Sequence, residues 1–135
     1  MTLVLDASVV VALLVDDGPD GRWAEQVLAG APLSAPHLMP VEAANILRRA
    51  VARGEVSADV AALAHADLLA LPVELFPYEP FAARVWELRD NVTTYDGWYI
   101  ALAEALGGKL ATLDHALSRA PGPRCGFLTP RQDRP

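Results

Sequence analysis

Thr2-Leu3-Val4-Leu5-Asp6-Ala7-Ser8 is an apolar run that stops abruptly at an acid. Leu3, Val4 and Leu5 show no polar alternation, as expected of a strand covered on both faces in a parallel sheet. From Ala7 to Val15 the chain is apolar almost all round and predicts a buried helix. A carboxylate at the end of a buried strand, with a helix starting above it, stands where open α/β sheets bind ligands. Glu42, Asp96 and Asp114 fall at comparable junctions further along.

The chain beyond that stretch alternates helices and strands. Asp16-Asp17-Gly18-Pro19-Asp20-Gly21 reads as a turn, and Trp23, Val27 and Leu28 form the apolar stripe of a second helix. Leu33-Ser34-Ala35 is a short strand that Pro36 limits. Pro40 suits the first turn of a third helix over residues 41–53, which Gly54 ends. Ser57 caps a fourth helix over 58–71, with Val60, Leu63, Ala64, Leu68 and Leu71 expected on its core face. The short connection between these two helices predicts an antiparallel pair. Residues 73–76 read as a strand, and Pro80 opens a fifth helix carrying Phe81, Val85, Trp86 and Leu88. Trp23 and Trp86 are expected in the core. A sixth helix covers 95–106 and ends at Gly107-Gly108, and a strand over 109–113 ends at Asp114. A short helix then runs to Ala120, and Phe127-Leu128 forms a last strand. This order predicts an α/β fold with a central parallel β-sheet of four to five strands and helices on both faces. Residues 1–130 are expected to form one domain, with 131–135 a polar tail.

Apolar residues make up 53% and charged residues 21%, a globular composition that excludes a disordered chain. The apolar stretch at Ala7–Val15 is far shorter than the roughly 20 residues a membrane helix needs. No basic segment precedes it, so neither a signal peptide nor a membrane span is expected. The single cysteine, Cys125, excludes an internal disulfide and fits a reducing compartment, so the cytoplasm is the expected location. A net charge of −6 argues against a nucleic-acid partner unless cations occupy an acidic pocket. Ten of the 11 basic residues are Arg, which suits bidentate phosphate contacts.

Each of the four acids has an ordinary local explanation. Asp6 and Asp114 precede helices, where Asp is a favoured cap. Thr93-Thr94-Tyr95-Asp96 resembles a capping box, and Glu42 sits in a first turn, where the helix dipole favours negative charge. Taken together they point elsewhere. Asp6 and Asp114 follow strands of one parallel sheet, and Glu42 and Asp96 open helices along the same edge. Four ionised carboxylates there would repel one another without cations, and Mg²⁺ or Mn²⁺ are the natural occupants of an all-oxygen site. Ser8, Asn45 and Thr112 stand within a few residues of these acids and could supply supporting hydrogen bonds.

Leu5-Asp6-Ala7-Ser8, Glu42-Ala43-Ala44-Asn45, residues 94–103 around Asp96, and Thr112-Leu113-Asp114 occur in the order found in PIN-domain proteins. In detail the chain resembles the VapC-type ribonuclease toxins, from Leu3 to Asp114. Gly97 departs mildly from the pattern, which more often has Ala there. The resemblance implies a PIN-like three-layer sandwich and a Mg²⁺- or Mn²⁺-dependent endoribonuclease. Asp6, Glu42, Asp96 and Asp114 would then be the catalytic, metal-binding acids, with Ser8, Asn45 and Thr112 as supporting residues. A metal-activated water as nucleophile leaves 5′-phosphate and 3′-hydroxyl ends. The resemblance further implies an RNA substrate, a homodimer, and inhibition by a VapB-type antitoxin whose C-terminal segment lies near the third and fourth helices, over 42–71.

Competing readings are weaker. Arg49 and Arg53 stand in the last turns of the third helix, where the dipole explains them better than substrate phosphate does. Trp98 is expected to face away from the acids, in the core or a dimer interface. His115 adjoins Asp114, but a metal-free His mechanism needs a second His with an evident place beside it. A HAD-like phosphatase needs Asp-x-Asp, and this chain has Asp6-Ala7-Ser8. The remaining alternative is a catalytically inert PIN-like binding module, which has no need to keep all four acids.

Overall fold

The computed structural model describes residues 1–131, so most of the polar tail at 131–135 lies outside the described residues. Strand β1 (Leu3–Leu5) is fully buried and pairs in parallel with β2 (Leu33–Pro36) on one side and β4 (Lys109–Ala111) on the other. Strand β3 (Val73–Phe76) extends the sheet beyond β2, and β5 (Gly126–Leu128) extends it beyond β4. The resulting order is β3-β2-β1-β4-β5, all parallel. The expected α/β sandwich is therefore present.

Crossovers between parallel strands are right-handed. The chain steps one way from β1 to β3 and the opposite way from β4 to β5, so its helices fall in two layers. Helices α1 (Ala7–Val15), α2 (Pro19–Leu28), α3 (Met39–Ala52) and α4 (Ala58–Ala70) pack around α1. Helix α6 (Thr94–Leu106) lies on β1, β2 and β4 and is backed by α5 (Ala82–Glu87). Helix α7 (His115–Ser118) joins β4 to β5. The strand order reverses between β1 and β4, and their carboxyl ends open the crevice where such sheets bind ligands.

Several boundaries differ from expectation for local reasons. Helix α3 starts at Met39, two residues early, and Glu42 N–H already donates to Leu38 O at 3.0 Å. Strand β2 continues through Pro36 because His37 N–H supplies the next bond, to Phe76 O. Strand β4 ends at Ala111, not at 113. The chain entering α5 is a 3₁₀ turn over Glu79–Phe81. Gly107 ends α6 as expected, in the left-handed conformation (φ 65°) that glycine adopts without strain.

Two core expectations need correction. Trp86 is 63% exposed, because Val85 and Leu88, both 1% exposed, take the inward positions of the short helix α5. The Arg89 guanidinium instead stacks over the Trp86 ring at 4.7 Å. On α4, Ala64 and Leu68 are buried and Leu71 packs against the core, but Val60 and Leu63 face outward. Trp23 packs partly buried against the core. Gly97 lets α6 approach α5 closely: a Cβ there would lie 3.2 Å from Val85 Cγ1. Among the described residues no helix is long and apolar enough to cross a membrane.

Candidate functional site

Asp6 follows β1 directly and caps α1, its Oδ1 accepting from Val9 N–H at 3.1 Å. The same oxygen accepts from Ser8 Oγ at 2.6 Å, and Oδ2 accepts from the Thr112 hydroxyl. Thr112 is wholly buried, and its oxygen also accepts from Asp114 N–H at 3.0 Å. Ser8 Oγ in turn accepts from Leu113 N–H at 3.4 Å. The two hydroxyls thus bind the carboxyl ends of β1 and β4 together around Asp6. Ser8 and Thr112, expected to support the acids, each donate to one oxygen of Asp6.

Glu42 lies in the first turn of α3 and Asp96 in that of α6, where Thr93 Oγ1 caps the helix by accepting from Asp96 N–H at 3.1 Å. Glu42 Oε1 accepts a 2.6 Å hydrogen bond from the phenol of Tyr99, which is 2% exposed. Asp6, Glu42 and Asp96 line one cleft of about 270 Å³, with Ser8, Asn45, Ile46, Arg49 and Tyr99. Asn45 is exposed at its edge and accepts from Arg48 Nε at 2.9 Å.

The fourth acid stands apart. Asp114 is exposed, is not part of the cleft lining, and its Oδ1 caps α7 by accepting from Leu117 N–H at 3.0 Å. Its charge nevertheless reaches the cleft. Burial raises the Asp96 carboxyl above its ordinary value; Thr93 opposes this, and the charges of Asp114, Asp6 and Glu42, in that order, add to it. Burial also raises Asp6, against the Ser8 and Thr112 hydroxyls and the Val9 and Ser8 amides. The Tyr99 phenol is pushed far above its usual range by burial, then by the Glu42 carboxylate, and remains a donor throughout the physiological range.

Among the described residues no three His, Cys, Asp or Glu side chains are gathered closely enough to hold a metal ion as they stand. Asp6 and Glu42 are engaged by hydroxyl donors. The donor chemistry still fits a hard divalent cation: it is all oxygen, and Asp96 sits in the negative field of three other carboxylates, which a cation would relieve.

Two polar cleft residues were not assigned to the site by sequence reasoning. Tyr99 is three residues after Asp96, so helical spacing alone puts both on one face of α6. Arg49 lines the cleft rather than serving only the dipole of α3, seven residues after Glu42 on the same face. Arg53, Trp98 and His115 are not in the lining; Trp98 meets Tyr78 edge-on at 5.3 Å. A second groove, of about 480 Å³, runs between α1 and α3, lined by Val11, Val15, Ile46, Ala50 and Val56, and shares Ser8 and Ile46 with the cleft. A groove between α3 and α4, over Leu47, Val51, Ala58 and Ala61, shares none.

Residues 3–123 match the family model described as PIN domain. Ribonuclease VapC12 of Mycobacterium tuberculosis is 38% identical over 120 residues, 89% of this chain and 92% of that protein. Ribonuclease VapC3 of Pyrobaculum aerophilum is 35% identical over 122 residues, 87% of this chain and 93% of that protein. The crystal structure of PAE2754 from Pyrobaculum aerophilum superposes with a TM-score of 0.71 at 22% identity, covering 94% of this chain and 83% of that one. With a family match across most of its length and relatives aligned nearly end to end, the chain belongs to the PIN-domain family, among its VapC-type members.

Proposed function

We propose that this chain is a divalent-metal-dependent endoribonuclease of the VapC type, built on one PIN domain over residues 1–130. The observation that carries the reading is the convergence of Asp6, Glu42 and Asp96 on one cleft at the carboxyl edge of the sheet. Relatives named ribonuclease VapC across most of the chain support the substrate class.

In this reading Asp6, Glu42 and Asp96 hold Mg²⁺ or Mn²⁺, and Asp114 adds negative charge from the rim. When bound, the ion lowers the pKa of water and offsets charge on the phosphodiester. The chain's own part is preorganisation. Ser8 and Thr112 fix both oxygens of Asp6, so its carboxylate does not reorient during the reaction. Tyr99 does the same for one oxygen of Glu42. At the start of α1 the Val9 and Ser8 amides oppose the burial of Asp6 and favour its ionised form. Asn45 offers an amide at the cleft edge. Hydrolysis by water leaves a 5′-phosphate and a 3′-hydroxyl.

The regulator in this reading is a VapB-type antitoxin, and the likeness to the structure of VapBC2 from Rickettsia felis supports such a partner. The groove between α1 and α3, being continuous with the cleft through Ser8 and Ile46, suits its C-terminal segment better than the groove between α3 and α4. A homodimer belongs to the same reading, and the outward Val60, Leu63 and Leu69 of α4 are consistent with a face covered by a second chain. The cytoplasm is the compartment where such an enzyme meets its substrate.

The test is cleavage of a mixed RNA pool with Mg²⁺, with Mn²⁺ and with EDTA, for wild type and Asp96→Asn, with end mapping. Metal-dependent cuts bearing 5′-phosphates, lost in the variant, support the enzyme. Absence of cleavage by folded protein free of antitoxin would favour the inert binding module.

A further inference from the structure

The α3 wall of the cleft carries Glu42, Asn45, Ile46 and Arg49, the i, i+3, i+4, i+7 series of one helix face. Arg49 is the basic residue in this lining. Its neighbour Arg48 is tied to Asn45 Oδ1 at 2.9 Å. The Arg49 side chain is exposed and, among the described residues, makes neither a hydrogen bond nor an ion pair, although three carboxylates share its cleft. A guanidinium beside acids that none of them engages is open to an external anion, and its planar fork of donors matches a phosphate.

We propose that Arg49 binds a backbone phosphate of the RNA neighbouring the one that is cleaved, and so sets the path of the strand along α3. This rests on the ribonuclease reading. Seven residues of helix separate Arg49 from Glu42 by about 10 Å. Helical side chains lean back toward the helix start, yet among the described residues the guanidinium pairs with none of the acids. A phosphate held there is displaced along the strand from the reacting one. The residue therefore binds substrate without entering the chemistry: its loss weakens association and leaves the chemical step. It also provides local positive charge in a chain of net charge −6.

The experiment measures binding of a labelled single-stranded RNA oligonucleotide over a KCl series with Ca²⁺ present. The proteins are the cleavage-deficient Asp96→Asn chain and the same chain with Arg49→Ala or Arg49→Lys, with cleavage by the otherwise unchanged Arg49 variants measured in Mg²⁺. Arg49→Ala is expected to make the slope of log K against log salt shallower by about 0.7, the release from one single-strand phosphate. It should raise KM with little change in kcat, and Arg49→Lys should restore the slope. Because Arg49 is exposed, thermal unfolding of the variants should match that of the parent. An unchanged slope and KM in Arg49→Ala, with wild type cleaving RNA, overturns the role of Arg49 alone. Failure of wild type to cleave or bind RNA under any metal overturns the ribonuclease reading and this inference with it.

Discussion

The Tyr99 phenol donates a 2.6 Å hydrogen bond to Glu42 Oε1, joining α6 to α3 across the cleft. Glu42 is otherwise a carboxylate on the first turn of a helix, free to rotate toward water. The buried phenol selects one orientation. Tyr99→Phe keeps the ring and its packing but releases Glu42. Mn²⁺ affinity, read by calorimetry, should fall about 10- to 100-fold, as for loss of other groups that orient metal ligands. Stability should drop by only about 1 kcal/mol. Unchanged Mn²⁺ affinity would sink the orienting role.

Asp96 gives a pH signature. Its carboxyl is raised above the ordinary value, chiefly by burial and then by the charges of Asp114, Asp6 and Glu42. The native state thus holds this proton more tightly than the unfolded chain. Its contribution is fully present below the unfolded value and is lost as pH rises through the native one. Without divalent ions, Asp96→Asn should therefore melt higher than wild type at pH 7, and the two curves should converge under acid conditions. Adding Mg²⁺ should stabilise wild type more than the variant. A variant less stable than wild type in neutral EDTA would contradict the crowded-carboxylate account.

Thr112 is 0% exposed and its hydroxyl serves both Asp6 and the Asp114 amide. Thr112→Val preserves shape and removes both bonds, leaving a buried acceptor and a donor unmatched. Urea unfolding at neutral pH should show a loss of about 2 kcal/mol. Thr112→Ser should recover most of it. Equal losses in Val and Ser variants would point to packing instead of the hydroxyl.

Far from the cleft, Arg84 grips Glu104 through Nε to Oε1 at 2.7 Å and Nη2 to Oε2 at 3.1 Å, and also donates to Gly122 O at 2.9 Å. The Arg124 amide donates to the same carboxylate at 2.7 Å. Burial acts to raise Glu104, but the bond from Arg84, the Arg124 amide and the arginine charges outweigh it and hold the carboxyl below its ordinary value. Stability from a lowered acid is present above the unfolded value and lost as pH falls through the native one. Arg84→Ala should therefore cost about 2 kcal/mol at pH 7 and progressively less as pH falls below the ordinary carboxylate range, by calorimetry. RNA cleavage at pH 7 and moderate temperature should be unaffected. A pH-independent loss would assign the effect to the apolar stem and the bond to Gly122 O.

Much of the architecture was legible because the local signals agreed with the global fold. Leu3-Val4-Leu5 reads as a doubly covered strand, and it is fully buried at the centre of the sheet. Asp6, Ser57 and Thr93 read as caps, and each accepts from the amide three residues on. Positions that depended on a neighbour's shape were not legible. Trp86 is outward because Val85 and Leu88 fill the available contacts. Val60 and Leu63 fit a helical stripe, yet the core side of α4 is narrower than that stripe.

The sequence by itself determined the elements, their alternation and the acids at their junctions, because caps and periodicity act within a few residues. Only the tertiary structure decided which of those acids share a cleft. It gathers Asp6, Glu42 and Asp96 with Tyr99 and Arg49, and sets Asp114 beyond that lining, with its charge felt at Asp96. The hydrogen bonds responsible span 106 residues from Thr112 to Asp6 and 57 from Tyr99 to Glu42. Such pairs exist only once the strand order sets β1 beside β4 and lays α6 across the sheet, and no local spacing encodes that order.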